Sequence, residues 1–190
     1  IRTDVVIAVP DSSNTIALAY AEEAGLPFRF GLIRNHYTGR TFITPGQPAR
    51  ELGVRMKLNP VRSVVHDKTV TVVDDSLVRG TTGKKVVALL RHAGAKEVHL
   101  RIGSPAVISP CYWGIDTPER EQLAAAEKSV EEIRTFMEAD SLDYLTLEEL
   151  REALQDKAGA EYCTSCFTGL KPIEDQRIPP EHLSWRARRG

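Results

Sequence analysis

The first apolar block, Val5-Val6-Ile7-Ala8-Val9, is continuous and ends at Pro10. A short unbroken apolar run predicts a strand buried on both faces, the kind that parallel sheets use. Residues 15–24 are Ala-rich and predict a helix, with Gly25 as its stop and Pro27 beyond it. Residues 28–33 predict the next strand, completing a right-handed βαβ unit. Residues 61–65 predict another strand. Residues 68–73 give the clearest strand of all and end at Asp74-Asp75. Residues 82–93 give the clearest helix, because Val86, Leu89, Leu90 and Ala93 follow three-four spacing and Gly94 stops it. Residues 97–102 predict a strand again. Strands alternating with helices predict an α/β fold, a mainly parallel sheet flanked by helices.

After Pro105 the pattern changes. Ser129 with Glu132, and Thr146 with Glu149, are capping-box pairs, each followed by apolar residues at helical spacing. They predict two short helices packed on the sheet domain. The expected organisation is a core over residues 1–110, a helical, cysteine-containing extension over 111–170, and a flexible tail over 171–190. Residues 34–59 show weak periodicity and hold Gly39, Gly46 and Gly53. A connection that long inside a compact domain is usually functional or mobile.

Composition narrows the class. The chain has 190 residues, 42% hydrophobic and 27% charged, the ordinary soluble globular mix, which excludes disorder or fibre for the whole chain. No apolar run is long enough for a membrane-spanning helix. The net charge of −1 argues against electrostatic nucleic-acid binding. Between Arg34 and Arg62, however, six Arg/Lys face only Glu51, a net of +5, and such a stretch suits an anionic ligand. Between Asp116 and Glu161, fourteen acids against five bases give −9, which reads as solvated helix faces. The chain opens on Ile1 with neither an initiator Met nor a secretory signal, and is expected to be a piece of a longer protein. Three cysteines, an odd number, argue against a disulfide framework and for a reducing compartment.

The most informative string is Val70-Thr-Val-Val-Asp-Asp-Ser-Leu-Val-Arg-Gly-Thr-Thr82. A buried strand delivers two carboxylates to its C-terminal end, where ligands of open α/β sheets bind. Arg79, Gly80, Thr81 and Thr82 then open a helix whose free N–H groups suit a phosphate. Gly80 allows close backbone approach and the threonine hydroxyls add donors. The carboxylates of Asp74 and Asp75 suit a sugar diol and Mg²⁺. One cradle thus reads diol and phosphate together, as ribose 5-phosphate requires. It is not a Walker loop, since that spacing is absent.

Cys163 and Cys166 are spaced for zinc or an iron–sulfur cluster, and Cys111 brings the thiols to three where a closed site wants four. Plain thiols, a zinc completed by a histidine such as His99, or a buried core role for Cys111 are alternatives.

The cradle string resembles the phosphoribosyl pyrophosphate (PRPP) signature of type I phosphoribosyltransferases. Further strings follow in order: Val9-Pro10-Asp11-Ser12-Ser13, Gly39-Arg40-Thr41-Phe42-Ile43, Gly53-Val54-Arg55-Met56-Lys57-Leu58-Asn59, Pro110-Cys111-Tyr-Trp-Gly-Ile-Asp116 and Cys163-x-x-Cys166-Phe167-Thr168-Gly169. Together they resemble the amidophosphoribosyltransferase family over nearly the whole chain, in its iron–sulfur branch. The resemblance implies transfer of the phosphoribosyl group of PRPP to ammonia, giving 5-phosphoribosylamine and pyrophosphate, the first step of purine synthesis. It assigns the ribose diol to Asp74 and Asp75, and Mg²⁺ to Ser12, Asp74 and Asp75. The 5′-phosphate falls to Arg79, Gly80, Thr81 and Thr82, largely through backbone N–H groups, and the pyrophosphate loop to Asp11, Ser12 and Ser13; Ser76 joins the PRPP-binding residues. Arg34 and Arg40 are expected to face pyrophosphate, and Tyr37 to wall the ammonia passage. The resemblance expects Lys at Arg34 and Arg at His36, so those positions depart from it; His36 reads as a solvated loop residue.

It also implies a [4Fe–4S] cluster on Cys111, Cys163 and Cys166 with a fourth, upstream ligand, so that this chain alone holds the cluster poorly. A glutaminase half that frees ammonia from glutamine, feedback by purine nucleotides, a homo-oligomer and a cytoplasmic location complete the expectation. Nucleic acid and membrane are not expected partners. The competing readings are a non-catalytic module that senses PRPP or nucleotide, and a phosphoribosyltransferase that uses a free base.

Overall fold

A computed structural model describes residues 2–35, 58–111, 113–155 and 162–170. Four strands form a wholly parallel sheet in the order β1-β4-β5-β6. They are β1 (Val5–Ala8), β4 (Thr69–Asp74), β5 (Glu97–Ile102) and β6 (Ser141–Tyr144). β2 (Leu32–Arg34) and β3 (Leu58–Pro60) pair antiparallel in a separate ribbon. The expected parallel α/β sheet is therefore present.

The central strand β4 is apolar on both faces because each face is covered. On one face Val70 and Val72 meet Val86, Val87 and Leu90 of helix α3 (Thr81–His92), together with Ile133 and Met137 of helix α5 (Val130–Met137). On the other, Val6, Ala8 and Val73 meet Ala17 and Ala21 of helix α1 (Asn14–Glu23). α1 needs alanines there because small side chains let a helix lie close to the strands.

Both capping boxes form. The Ser129 hydroxyl accepts from the Glu132 N–H at 3.3 Å and the Ser129 N–H donates to the Glu132 carboxylate at 2.8 Å. Thr146 and Glu149 do the same at 3.1 and 2.7 Å, opening α6 (Leu147–Gln155).

Three elements differ from the expectation. Residues 28–33 are not one strand: Phe28 makes a single parallel bridge to Val6, and regular pairing begins at Leu32. Gly31 is pressed against Ile7 so closely that a Cβ there would lie 2.5 Å from the Ile7 side chain, and the chain turns away from the sheet. Residues 61–65 form no strand but the single helical turn α2 (Arg62–Val65). Only Val65 of that turn is buried, so a turn suffices to place it. β6 was not expected. Its sequence Ser-Leu-Asp-Tyr buries only Leu142, which leaves little apolar pattern to read.

The remaining elements are a 3₁₀ turn at Arg120–Gln122, α4 (Ala124–Glu127) and α7 (Ser165–Thr168). The expected tail 171–190 and most of the long basic connection, including His36, Tyr37 and Arg40, lie outside the described residues.

Candidate active site

β4 carries Asp74 and Asp75 to the C-terminal edge of the sheet. Ser13, fully buried just before α1, clamps them. Its hydroxyl donates to Asp74 Oδ1 at 3.0 Å and accepts the Asp75 N–H at 2.9 Å. The same Asp74 oxygen accepts the Asp75 N–H at 3.0 Å, and Asp75 Oδ1 accepts the Ser76 N–H at 2.8 Å. The two acids thus differ. Burial pushes the Asp74 carboxyl up to about 6, against the Ser13 hydrogen bond and with help from the Asp75 charge.

The chain then turns through residues 76–80 into α3. Gly80 sits at φ 73°, a left-handed conformation that a Cβ would strain. Space is not the constraint there, since the nearest atom to a Cβ would be Phe136 Cε1 at an ordinary 3.6 Å. The first-turn N–H groups of α3, at Thr81, Thr82 and Gly83, have no helical acceptors and face the edge of the sheet. Thr81 and Thr82 are exposed.

A cavity of about 330 Å³ opens here. Its rim is Ser12 and residues 74–83, and its floor is Val9, Val86, Leu100 and Ile102. Hard oxygen donors therefore stand beside amide donors above an apolar base. In the loop after β1, where the Pro10–Asp11 peptide is cis, Arg34 Nη1 of β2 lies 3.5 Å from Asp11 Oδ2. Each of those side chains is 50% exposed, so the pair is screened and replaceable by a ligand.

The structure brings together Ser12, Ser13, Asp74, Asp75, Ser76, Arg79, Gly80, Thr81 and Thr82, with Asp11 and Arg34 paired alongside. Ser13 is a buried clamp rather than an open contact. The Arg79 side chain turns outward, its Nε donating to Gln122 Oε1 at 3.1 Å. Sequence reasoning missed Gln122, the apolar floor, and Gly83, where a Cβ would lie 2.6 Å from Met137 Sδ. The second glycine of Arg-Gly-Thr-Thr-Gly was a readable signal of close packing. Gln122 carried none.

Among the described residues no three His, Cys, Asp or Glu side chains form a group that would hold a metal ion. The carboxylates of Asp74 and Asp75 with the Ser12 hydroxyl nonetheless fit Mg²⁺, which keeps much of its water and takes few protein ligands. The cysteines lie elsewhere. The N–H groups of Ile108 and Ser109 both donate to the Cys166 carbonyl, at 2.9 and 3.1 Å, docking the segment that carries Cys111 onto α7. Burial, then the neighbouring Cys111 and Cys163, push the Cys166 thiol up. The donors are soft, but three are fewer than a closed site needs. His99 is engaged at both ring nitrogens, by Ser141 Oγ at 2.9 Å and Glu97 Oε2 at 3.1 Å. It is not available as a fourth ligand.

The fold, a parallel sheet with paired carboxylates and a helix N-terminus at one strand end, goes with its family: the chain belongs to the phosphoribosyl transferase domain family, which matches residues 1–102. Within it, the chain is similar to the amidophosphoribosyltransferases. The chloroplastic enzyme of Glycine max is 52% identical over 97% of this chain and 33% of its own length. The solved B. subtilis glutamine PRPP amidotransferase, complexed with ADP and GMP, superposes with a TM-score of 0.82 at 49% identity, covering 96% of this chain and 41% of that one. The solved allosteric regulatory enzyme of purine biosynthesis gives 0.81 at 48%, covering 96% and 40%. The chain spans about a third of the length of the soybean relative.

Proposed function

We propose that this chain binds PRPP with Mg²⁺ and transfers its phosphoribosyl group to ammonia, as the transferase part of an amidophosphoribosyltransferase in purine synthesis. The observation that carries this reading is the cavity at the end of β4, where two unequal carboxylates stand beside the free amides of α3. Asp74 and Asp75 accept the ribose 2′- and 3′-hydroxyls. The backbone N–H groups of Arg79, Gly80, Thr81 and Thr82, with the Ser76 and threonine hydroxyls, hold the 5′-phosphate. Asp11, Ser12 and Ser13 form the pyrophosphate side, with Arg34 poised to exchange Asp11 for a phosphate oxygen. Tyr37 and Arg40 complete the site from the basic segment.

In the reaction the C1–O bond to pyrophosphate breaks, a C1–N bond to ammonia forms, and one proton is released. Charge builds on the leaving pyrophosphate, so fixed positive charge and donors there lower the barrier. Ser12, Asp74 and Asp75 would hold Mg²⁺, which would supply positive charge against the leaving pyrophosphate.

In the intact protein, Cys111, Cys163 and Cys166 supply three ligands to a [4Fe–4S] cluster, the fourth coming from elsewhere. Glutamine is the ammonia source through a glutaminase part, purine nucleotides are feedback ligands, and the assembly is a homo-oligomer. The cysteines point to a reducing compartment, for which the cytoplasm is the proposal; the Glycine max relative is chloroplastic.

Calorimetric titration of PRPP with Mg²⁺ tests the site. The chain is expected to bind, and an Asp74→Asn/Asp75→Asn double variant to lose at least tenfold in affinity, each lost charged hydrogen bond weakening binding by about 1.5–3 kcal/mol. Equal binding by both would overturn the assignment. Pyrophosphate release with ammonia, but not with free purine bases, distinguishes the amidotransferase from its nearest alternative.

A further inference from the structure

The turn that receives the 5′-phosphate in this reading has a partner outside the cavity. Residues 76–80 are followed through space, not through sequence, by the 3₁₀ turn Arg120–Gln122. One bond joins them directly, and a second joins residues 76–80 to the start of α4 just beyond. The Ala124 N–H donates to the Val78 carbonyl at 2.8 Å, and Arg79 Nε donates to Gln122 Oε1 at 3.1 Å. The 3₁₀ turn is itself firmly seated, because Leu123 and Ala124, which follow it, are 2% and 7% exposed in the core. Its own backbone is closed by Gln122 N–H to Glu119 O at 2.9 Å and Leu123 N–H to Arg120 O at 3.0 Å. Gln122 therefore sits one residue from a buried anchor, and the Arg79 guanidinium is tied to it.

We infer that Gln122 is a positioning residue for the phosphate turn: by holding Arg79 Nε it fixes residues 79–80 so that their N–H groups point into the cavity. The inference rests on the PRPP reading of that cavity. An amide oxygen suits the task, because it accepts one guanidinium N–H and so orients the Arg79 side chain. The Ala124–Val78 bond holds the turn one residue earlier but does not reach the αL step at Gly80. That step is where the chain reverses into α3, and its orientation follows Arg79.

The test compares two ligands that occupy opposite ends of the site. Ribose 5-phosphate reports the phosphate turn. Pyrophosphate with Mg²⁺ reports the loop of Asp11, Ser12 and Ser13. Both are titrated by calorimetry into the full chain and into Gln122→Ala, Gln122→Met and Gln122→Glu variants. Gln122→Ala and the nearly isosteric Gln122→Met are expected to weaken ribose 5-phosphate about fivefold, the worth of one hydrogen bond, and to leave magnesium pyrophosphate within about twofold. Gln122→Glu keeps an acceptor in place and is expected to stay within about twofold of the parent for both ligands. Unchanged ribose 5-phosphate affinity in Gln122→Ala and Gln122→Met, equal loss of both ligands, or no rescue by Glu would overturn the inference. A parent that binds neither ligand would overturn the PRPP reading as well, and this one with it.

Discussion

At the scale of single residues, the site works by making two like acids unequal. The sequence shows Asp74 and Asp75 as neighbours but not that Ser13, distant in sequence, seals only the first of them. With its carboxyl raised from 3.8 to about 6, chiefly by burial, Asp74 favours the protonated folded state. Its contribution to stability is fully present below about pH 4 and is lost as pH rises through about 6. Near pH 7.5 the charged group therefore costs folding on the order of 2–3 kcal/mol, from a shift of roughly two units. Asp74→Asn is expected to raise the midpoint of thermal unfolding at pH 7.5, with a gap over the parent that shrinks towards pH 4. A gap independent of pH between 4 and 7.5 would rule this account out. Tyr144 is a second case. Its hydroxyl is buried with no hydrogen-bond partner among the described residues, and burial pushes its pKa up to about 12. Tyr144→Phe removes an unpaired polar group at constant ring packing. Urea unfolding should show it as stable as the parent or more so by about 1 kcal/mol, and a loss of 1 kcal/mol or more would mean the hydroxyl has a partner.

At the scale of elements, α3, whose first turn lines the cavity, is held by contact with α5. Gly83 in the first turn of α3 faces Met137, which is fully buried, and a Cβ would come within 2.6 Å of the Met137 sulfur. Alanine is worth about 1 kcal/mol over glycine inside a helix, but overpacking a full core costs about 1–3 kcal/mol. Gly83→Ala is therefore expected to destabilise the parent. In a Met137→Ala background the added methyl meets a cavity, and only the helical gain remains. The same substitution should then stabilise. A double-mutant cycle by chemical denaturation measures the sign change, and additive effects would show that the two side chains do not compete for space. β4 and α3 were legible because apolar spacing writes such elements directly into sequence. β6 and the turn α2 were not, because each buries a single side chain, Leu142 or Val65, and one residue has no period. The turn at residues 76–80 was legible as a string, but its hydrogen bond to Gln122 joins residues 43 apart and leaves no local trace.

At the scale of the whole molecule, the change of pattern after Pro105 marks a change in surface more than an end to the core. β6 pairs in parallel with β5 from His99↔Ser141 to Ile102↔Tyr144. Asp140 ties the junction, its carboxylate accepting the Val98 N–H at 2.6 Å and the Arg91 guanidinium, while its own N–H donates to the Val98 carbonyl at 3.0 Å. Leu123, Ile133, Met137 and Leu142 are each at most 4% exposed, and Ile133, Met137 and Leu142 share one cluster with Val70, Val72 and Leu100 of the central strands. Each such side chain is worth about 1.5–3 kcal/mol of burial, so the four together contribute about 6–12 kcal/mol. A domain of this kind has a net stability of only about 5–15 kcal/mol. A chain ending at residue 110 would lose that contribution and expose the edge of β5, a template for association. The shorter chain is therefore expected to show no cooperative thermal transition by circular dichroism and to aggregate. A chain ending at residue 155 keeps β6 and α5 and is expected to melt cooperatively. Cooperative melting of the chain ending at 110, with a well-dispersed amide spectrum, would show that the first three strands of the parallel sheet suffice and that the remainder is an appendage.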